Sequence, residues 1–357
     1  MIRLGVIGLG YWGPNLVRCF NDVEECDVQI VCDRDEKRLA AVGGRFPQIE
    51  CTTNAQDVLE SGKLDAVVIA TPTRTHYELA SRALQSGMHT FVEKPLAAAG
   101  AECKELIDLA EQNGCILFVG HVFLHSAPVQ KLRDLVQSGE LGDIYYIASN
   151  RLNLGPIRQD VNALWDLAPH DISIILDLLD ESPQAVSCNG LAHLNPRVHD
   201  VCNVTLHFPD NKIGIVHVSW LDPRKNRVMT VVGSDKMAVY DDLEPLEKIK
   251  VYDIGIEALP YASTFGEFQY SYRYGDTYSP RLNEVEPLRA ECSDFVRCIR
   301  EGSTPKTDGN NGLQVVEVLE AADASMARLG TQVTVASGVA SANGRAVNGQ
   351  VERLSAV

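Results

Sequence analysis

The chain has no Cys-x-x-Cys pair, no His-Glu-x-x-His pattern, no apolar run long enough to cross a bilayer, and no excess of basic residues. Each absence removes a class of function. Without paired thiols or metal-spaced histidines, no zinc ribbon, thioredoxin-like pair or zincin centre is expected, and no metal site of any kind. Without a long apolar run, no membrane span is expected. The 32 Lys and Arg against 48 Asp and Glu leave a net charge of −16, the wrong sign for nucleic-acid phosphates or an anionic membrane surface. An acidic chain can still bind an anionic nucleotide, because helix N-termini and a few arginines act locally. The 10 cysteines are scattered, several inside apolar stretches such as Ile30-Val31-Cys32. That pattern predicts reduced, buried thiols in a cytoplasmic protein. The first residues read at once as a strand, so no secretory leader is expected.

What is present is alternation. Short apolar runs at Ile2–Ile7, Asp27–Cys32, Ala66–Ala70, His89–Val92 and Cys115–Val119 are separated by helical patterns near 15–20, 35–45, 54–59, 75–86 and 98–112. Runs this continuous in Val, Ile and Ala suit a sheet covered on both faces, and the alternation predicts a doubly wound parallel sheet. Thr75 and Glu78 read as a capping box. After about residue 121 the character changes. A helix is expected over 128–137, then longer β-branched and aromatic strands at 144–153, 201–208, 212–220 and 227–232 with short turns between, interrupted by a helix from Pro169 to Leu179. These predict an α+β unit built on an antiparallel sheet. The aromatic stretch 261–278 reads as a loop, either a cover for a sheet or neighbouring subunit or a substrate lid. Two helices follow, over 288–300 and 313–328. The expected division is 1–121, 122–336, and a small polar tail at 337–357 predicted to be disordered.

The chemistry sits at a few places. Gly8-Leu9-Gly10-Tyr11-Trp12-Gly13 lies between the first strand and a helix that opens with Pro14. In that setting Gly8 permits the tight turn, Gly10 lets the backbone approach a pyrophosphate, and Gly13 allows close strand–helix packing. Asp33 ends the second strand, where a carboxylate can take the adenosine ribose hydroxyls and repel a 2′-phosphate, which favours NAD over NADP. Arg34 beside it pulls the other way. Ala70-Thr71-Pro72-Thr73 closes the third strand and is placed to line the cofactor cleft, with His76 just beyond. Lys94, between Glu93 and Pro95, is fixed at a strand end. There it could polarise a hydroxyl or carbonyl with a lowered pKa, or simply pair with Glu93 at the surface. In Trp165-Asp166-Leu167-Ala168-Pro169-His170-Asp171, Pro169 reads as the first turn of a helix. Asp166 and His170 would then flank its start as a carboxylate-supported general base, with Asp171 either an alternative partner or serving the helix N-terminus. His121, at the cleft side of the fifth strand, Arg158 and Asn162, just upstream of this stretch, and Trp165 and His170 within it are candidate substrate contacts.

The strings GLGYWG at 8–13, ATPTRTH at 70–76, EKP at 93–95 and DLAPHD at 166–171 resemble the glucose–fructose oxidoreductase/inositol dehydrogenase (Gfo/Idh/MocA) superfamily from Met1 to about Leu329. The resemblance implies a Rossmann domain followed by an open-faced sheet that commonly forms the subunit interface, so a homodimer or homotetramer. It implies catalytic roles for Lys94, Asp166 and His170, and NAD held by residues 8–13, Asp33, Arg34, 70–73, His76, Glu93 and Lys94. Within the superfamily, GYWGPNLVR at 10–18, WDLAPHDIS at 165–173 and VSWLDP at 218–223 resemble bacterial nucleotide-sugar enzymes, among them UDP-N-acetylglucosamine 3-dehydrogenases. These oxidise the 3-hydroxyl before a PLP-dependent aminotransferase acts. A 3-keto-sugar reductase, another sugar or inositol dehydrogenase, and an NAD-dependent glycoside hydrolase remain open as alternatives.

Overall fold

The computed structural model describes residues 1–258, 270–283 and 285–335, and in it the chain builds two sheets. The first arises from β1 (Ile2–Ile7), α1 (Gly13–Asn21), β2 (Cys26–Cys32), α2 (Glu36–Arg45), β3 (Glu50–Thr52), α3 (Ala55–Leu59), β4 (Ala66–Ile69), α4 (His76–Gln85), β5 (His89–Glu93), α5 (Gly100–Gln112) and β6 (Leu117–Gly120). All six strands are parallel, in the order β3-β2-β1-β4-β5-β6. Every residue of β4 is buried, as helices on both faces require. The strand order reverses between β1 and β4, and in such sheets ligands bind outside the carboxyl ends at that point. Strand β3 left no trace in the sequence reading, because Glu50-Cys51-Thr52 is a short, polar edge. The capping box at Thr75 and Glu78 does not form. Thr75 Oγ1 donates to the carbonyl of Pro72 instead, within a 3-10 turn that precedes α4.

The second sheet follows α6 (Ala127–Gln137). It comprises β7 (Ile144–Leu154), then after α7 (Ala163–Leu179) β8 (Ala185–Leu191), β9 (Val201–His207), β10 (Ile213–Ser219), β11 (Leu221–Gly233), β12 (Met237–Asp241), β13 (Ile249–Ala258) and β14 (Tyr270–Tyr278). Last come α8 (Pro287–Glu301), α9 (Gly309–Met326) and β15 (Val333–Thr334). The strand order is β14-β13-β12-β11-β7-β10-β9-β8-β15. The sheet is mixed rather than wholly antiparallel: β7 and β10 pair parallel. Between them the chain has α7, β8 and β9 in which to cross over, ample length for a parallel return. Half of the aromatic stretch expected as a loop is strand β14; residues 261–269 and the tail 337–357 lie outside the described residues.

Helix α7 begins six residues before Pro169. Asn162 Oδ1 accepts from the Trp165 N–H as its cap, and buried Ala163, Leu164 and Ala168 pack the first turns. Pro169 therefore lies inside the helix and not in its first turn; the packing outweighs the one helical hydrogen bond that proline forgoes. Helix α8 crosses back to the first sheet. Phe295 makes edge contacts with Phe20, Phe91 and Phe118 at 5.4–6.1 Å between centroids. The Thr307 carbonyl accepts from the N–H of Val119 at the end of β6. On α9, Leu313 and Val316 join the core of the first sheet while Val315, Val318 and Leu319 join that of the second, which locks the two together.

Candidate active site

At the carboxyl end of β1 the backbone turns sharply. Gly8 has φ +99°, and a side chain there would meet the carbonyl of Ala70 at 2.5 Å; one on Gly13 would collide with the carbonyl of Gly8. Gly10 differs: the nearest atom to an added Cβ is Arg38 Nη1 at 4.0 Å, so its backbone presents an open face. Leu9 is buried beneath, and Tyr11 and Trp12 project outward. No side chain caps α1 at Trp12, and Pro14 in its first turn has no N–H to satisfy. An open glycine backbone beside an uncapped helix N-terminus fits a dinucleotide pyrophosphate.

Asp33 braces this turn. Its Oδ2 accepts from the Leu9 N–H at 2.6 Å, and its Oδ1 from the Asp35 N–H at 2.9 Å. The nearby cation is Arg38, 3.5 Å from Oδ2; Arg34 is exposed. The sequence reading missed Arg38, although its place in the first turn of α2, five residues past Asp33, was the available signal. Residues 70–73 follow β4 beside this turn, with the Ala70 carbonyl against Gly8. Buried His76 stands behind them, its ring nitrogens 2.8 Å from the Thr71 carbonyl and 2.9 Å from the Pro95 carbonyl, so one side chain ties the turn after β4 to the turn after β5.

Lys94, joined to Pro95 by a cis bond, sends Nζ to the backbone carbonyl of Asp166 at 2.8 Å. It is no surface partner of Glu93. Glu93 is buried and its carboxyl is pushed up to about 7 by that burial; burial likewise lowers the Lys94 ammonium below its ordinary value, against the pull of Asp166 and Glu93. On α7, Asp166 and His170 stand one turn apart on one face. The carboxylate is not spent on the imidazole: Oδ1 accepts from Arg158 at 3.0 Å and Oδ2 from Trp220 Nε1 at 3.1 Å, while His170 Nδ1 is buried without a partner. The His170 ring lies edge-on to Phe123 at 5.0 Å, and the Arg151 guanidinium covers Phe123 at 4.6 Å. Burial first, then Lys94 and Arg151, hold His170 well below the usual imidazole range. His121, buried with both ring nitrogens unpartnered, is pushed down to about 3 by the same two kinds of cause, burial and the charge of Lys94. Lys94, His121 and His170 thus share one desolvated neighbourhood.

Other expectations are corrected. Asp171 does not serve a helix N-terminus; it is buried mid-helix, paired with Arg151 at 2.6 Å and accepting from Ser149 Oγ. Asn162 caps α7, and Trp165 Nε1 donates to Asp323 on α9 at 2.6 Å, so both polar groups are committed to the fold. Arg158, with its side chain 38% exposed, also pairs with Asp160 at 2.7 Å. Arg151 and Trp220 went unremarked as site residues, for each lies far in sequence from what it touches. Among the described residues, no group of three or more His, Cys, Asp or Glu could hold a metal, and no helix is long and apolar enough to cross a membrane.

Comparisons with known proteins identify the family. Residues 2–121 match the oxidoreductase family with NAD-binding Rossmann fold, and residues 129–239 match the Gfo/Idh/MocA C-terminal domain. The chain is 28% identical over 229 residues to the 2,7-anhydro-N-acetylneuraminate hydratase of Escherichia coli, a match that spans 60% of either protein. It is 25% identical over 321 residues to the UDP-N-acetylglucosamine 3-dehydrogenase of Acidithiobacillus ferrooxidans, covering 88% of this chain and 94% of that one. The solved structure of that dehydrogenase superposes with a TM-score of 0.77 at 24% identity over 92% of this chain and 99% of its own, which shows a shared fold. The chain belongs to the Gfo/Idh/MocA family of NAD-binding oxidoreductases.

Proposed function

We propose that this protein oxidises the 3-hydroxyl of a nucleotide sugar, UDP-N-acetylglucosamine first among them, to the 3-keto sugar. The observation that carries the reading is the convergence of Lys94, Asp166 and His170 beside an NAD-binding turn. NAD, when bound, supplies the hydride acceptor; residues 8–13, Asp33 and 70–73 would hold it. His170, kept neutral by burial and by Lys94, takes the hydroxyl proton at Nε2, opposite its buried Nδ1. Lys94 stabilises the charge left on the oxygen. Asp166, one turn from His170, offsets the imidazolium through space and anchors Arg158, whose exposed guanidinium would meet the diphosphate. His121 offers two free nitrogens to sugar hydroxyls. The likeness to the A. ferrooxidans enzyme, along nearly its whole length, supports this substrate class. The keto product suits a PLP-dependent aminotransferase, and the second sheet offers a face for a homodimer or homotetramer.

The likeness to a hydratase favours a second reading, in which the same residues act on a sugar without net change in NAD. One experiment separates them. The protein is incubated with NAD and a panel of nucleotide sugars, with substrate loss and NADH absorbance followed together. NADH rising with UDP-N-acetylglucosamine supports the first reading; substrate loss without NADH supports the second; neither, across the panel, defeats the proposal.

A further inference from the structure

Trp220 lies at the corner between β10 and β11, 54 residues from Asp166, and is 1% exposed. Its backbone is held from both sides: its N–H donates to the Asp200 carbonyl at 3.0 Å, and its carbonyl accepts from the Gly155 N–H at 3.3 Å. The ring packs in the core of the second sheet. Only its Nε1 is left to reach out, and it donates to Asp166 Oδ2 at 3.1 Å. The other donor to that carboxylate, Arg158, is a half-exposed side chain that also serves Asp160. One donor is therefore fixed by the core, while the other is shared with Asp160 nearer the surface.

The carboxylate has a competing attraction. Lys94 Nζ rests on the backbone carbonyl of the same residue, close enough for the Asp166 carboxylate to act on its charge. A free carboxylate there would collapse onto the ammonium and occupy the group needed at the substrate oxygen. Resting on the functional reading above, we propose that Trp220 is a positioning residue: its indole N–H holds the Asp166 carboxylate away from Lys94 and so keeps the ammonium free for substrate.

The test removes the N–H while keeping the shape. β-(3-Benzothienyl)alanine, introduced at position 220 by nonsense suppression, replaces N–H with sulfur; 5-fluorotryptophan at the same position retains the donor. With NAD and UDP-N-acetylglucosamine, the sulfur isostere should lose about tenfold or more in kcat, with both KM values within about twofold, while the fluoro variant keeps its turnover. Equal kcat in the isostere and the unsubstituted enzyme would overturn the proposal. The bond itself is read without substrate. The chain has 3 tryptophans, so three indole N–H signals are expected in a ¹⁵N-labelled sample, and W220F identifies one. That signal should move upfield in D166A; if it stays put, the proposal falls whatever the kinetics show. An unsubstituted enzyme inert toward UDP-N-acetylglucosamine would instead count against the functional reading, leaving the indole signal to decide on Trp220.

Discussion

Lys94 Nζ donates to the backbone carbonyl of Asp166 at 2.8 Å, so the last residues of a Rossmann strand grip the first turn of a helix belonging to the second sheet. The contact is made at a carbonyl within α7, the helix that also carries His170. It ties β5 to α7 directly, so Lys94 is a structural contact between the two sheets as well as the group proposed to act on the substrate oxygen.

Replacing Lys94 with Ala should therefore cut turnover about a hundredfold to a thousandfold. NAD affinity, measured by calorimetry, should change only a few-fold, because the pyrophosphate is proposed to sit on residues 8–13, away from Lys94. Turnover equal to that of the unsubstituted enzyme would remove Lys94 from the mechanism.

His170 should stay neutral at about pH 6, below the ordinary imidazole pKa near 6.5, since burial and Lys94 both disfavour its charged form. In K94M one of those causes is gone, so the ring should take its proton at a higher pH than in the unsubstituted protein. Histidine NMR titration reads both values; a lower or identical value in K94M contradicts the assignment.

Asp33 holds the Leu9 N–H and faces Arg38, so D33S should loosen the turn and free the guanidinium. NAD should bind about tenfold more weakly, and the preference for NAD over NADP should shrink. Titrations with the two cofactors side by side test this, and an undiminished preference would count against it.

Glu291 is buried with neither oxygen paired, and burial raises its carboxyl well above the ordinary range. The folded protein thus keeps a proton that the unfolded chain releases above about pH 4.3. Stability should fall as pH rises from about 5 to about 8, and Glu93, raised to about 7, adds to the fall. E291Q should flatten this decline without abolishing it. Melting temperatures across that range decide; an unaltered slope excludes Glu291 as its source.

The Arg151–Asp171 pair is buried on both sides. R151M should destabilise by about 3–5 kcal/mol, because it leaves a buried carboxylate with Ser149 as its remaining donor. The double variant R151M/D171L should recover much of that loss in urea unfolding. Equal stability of the single and double variants would show that the stranded charge is not the cause.

The local grammar of the chain is strong where chemistry is local. A glycine turn between strand and helix, Asp33 one strand on, and Val/Ile runs of strand length are each decided by neighbours in sequence, and from them the Rossmann sheet was legible. The weak elements were those whose reason lies elsewhere. Glu50–Thr52 becomes a strand only because Ile30–Cys32 offers it an edge. The start of α7 was misplaced because Pro169 reads locally as a first-turn residue, overruled by the Asn162 cap and by packing that no window of sequence contains.

By itself the sequence determined the first sheet, its dinucleotide turn, and the set of residues from which a site could be built. Tertiary structure decided their partners: that Asp166 turns to Trp220 and Arg158 rather than to His170, that Asp171 is claimed by Arg151, and that α8 returns to seal the first core. The physical reason is range. Backbone propensity and capping act within a few residues, whereas a buried polar atom must be satisfied by whatever the fold brings beside it, and that can be fifty or more residues away.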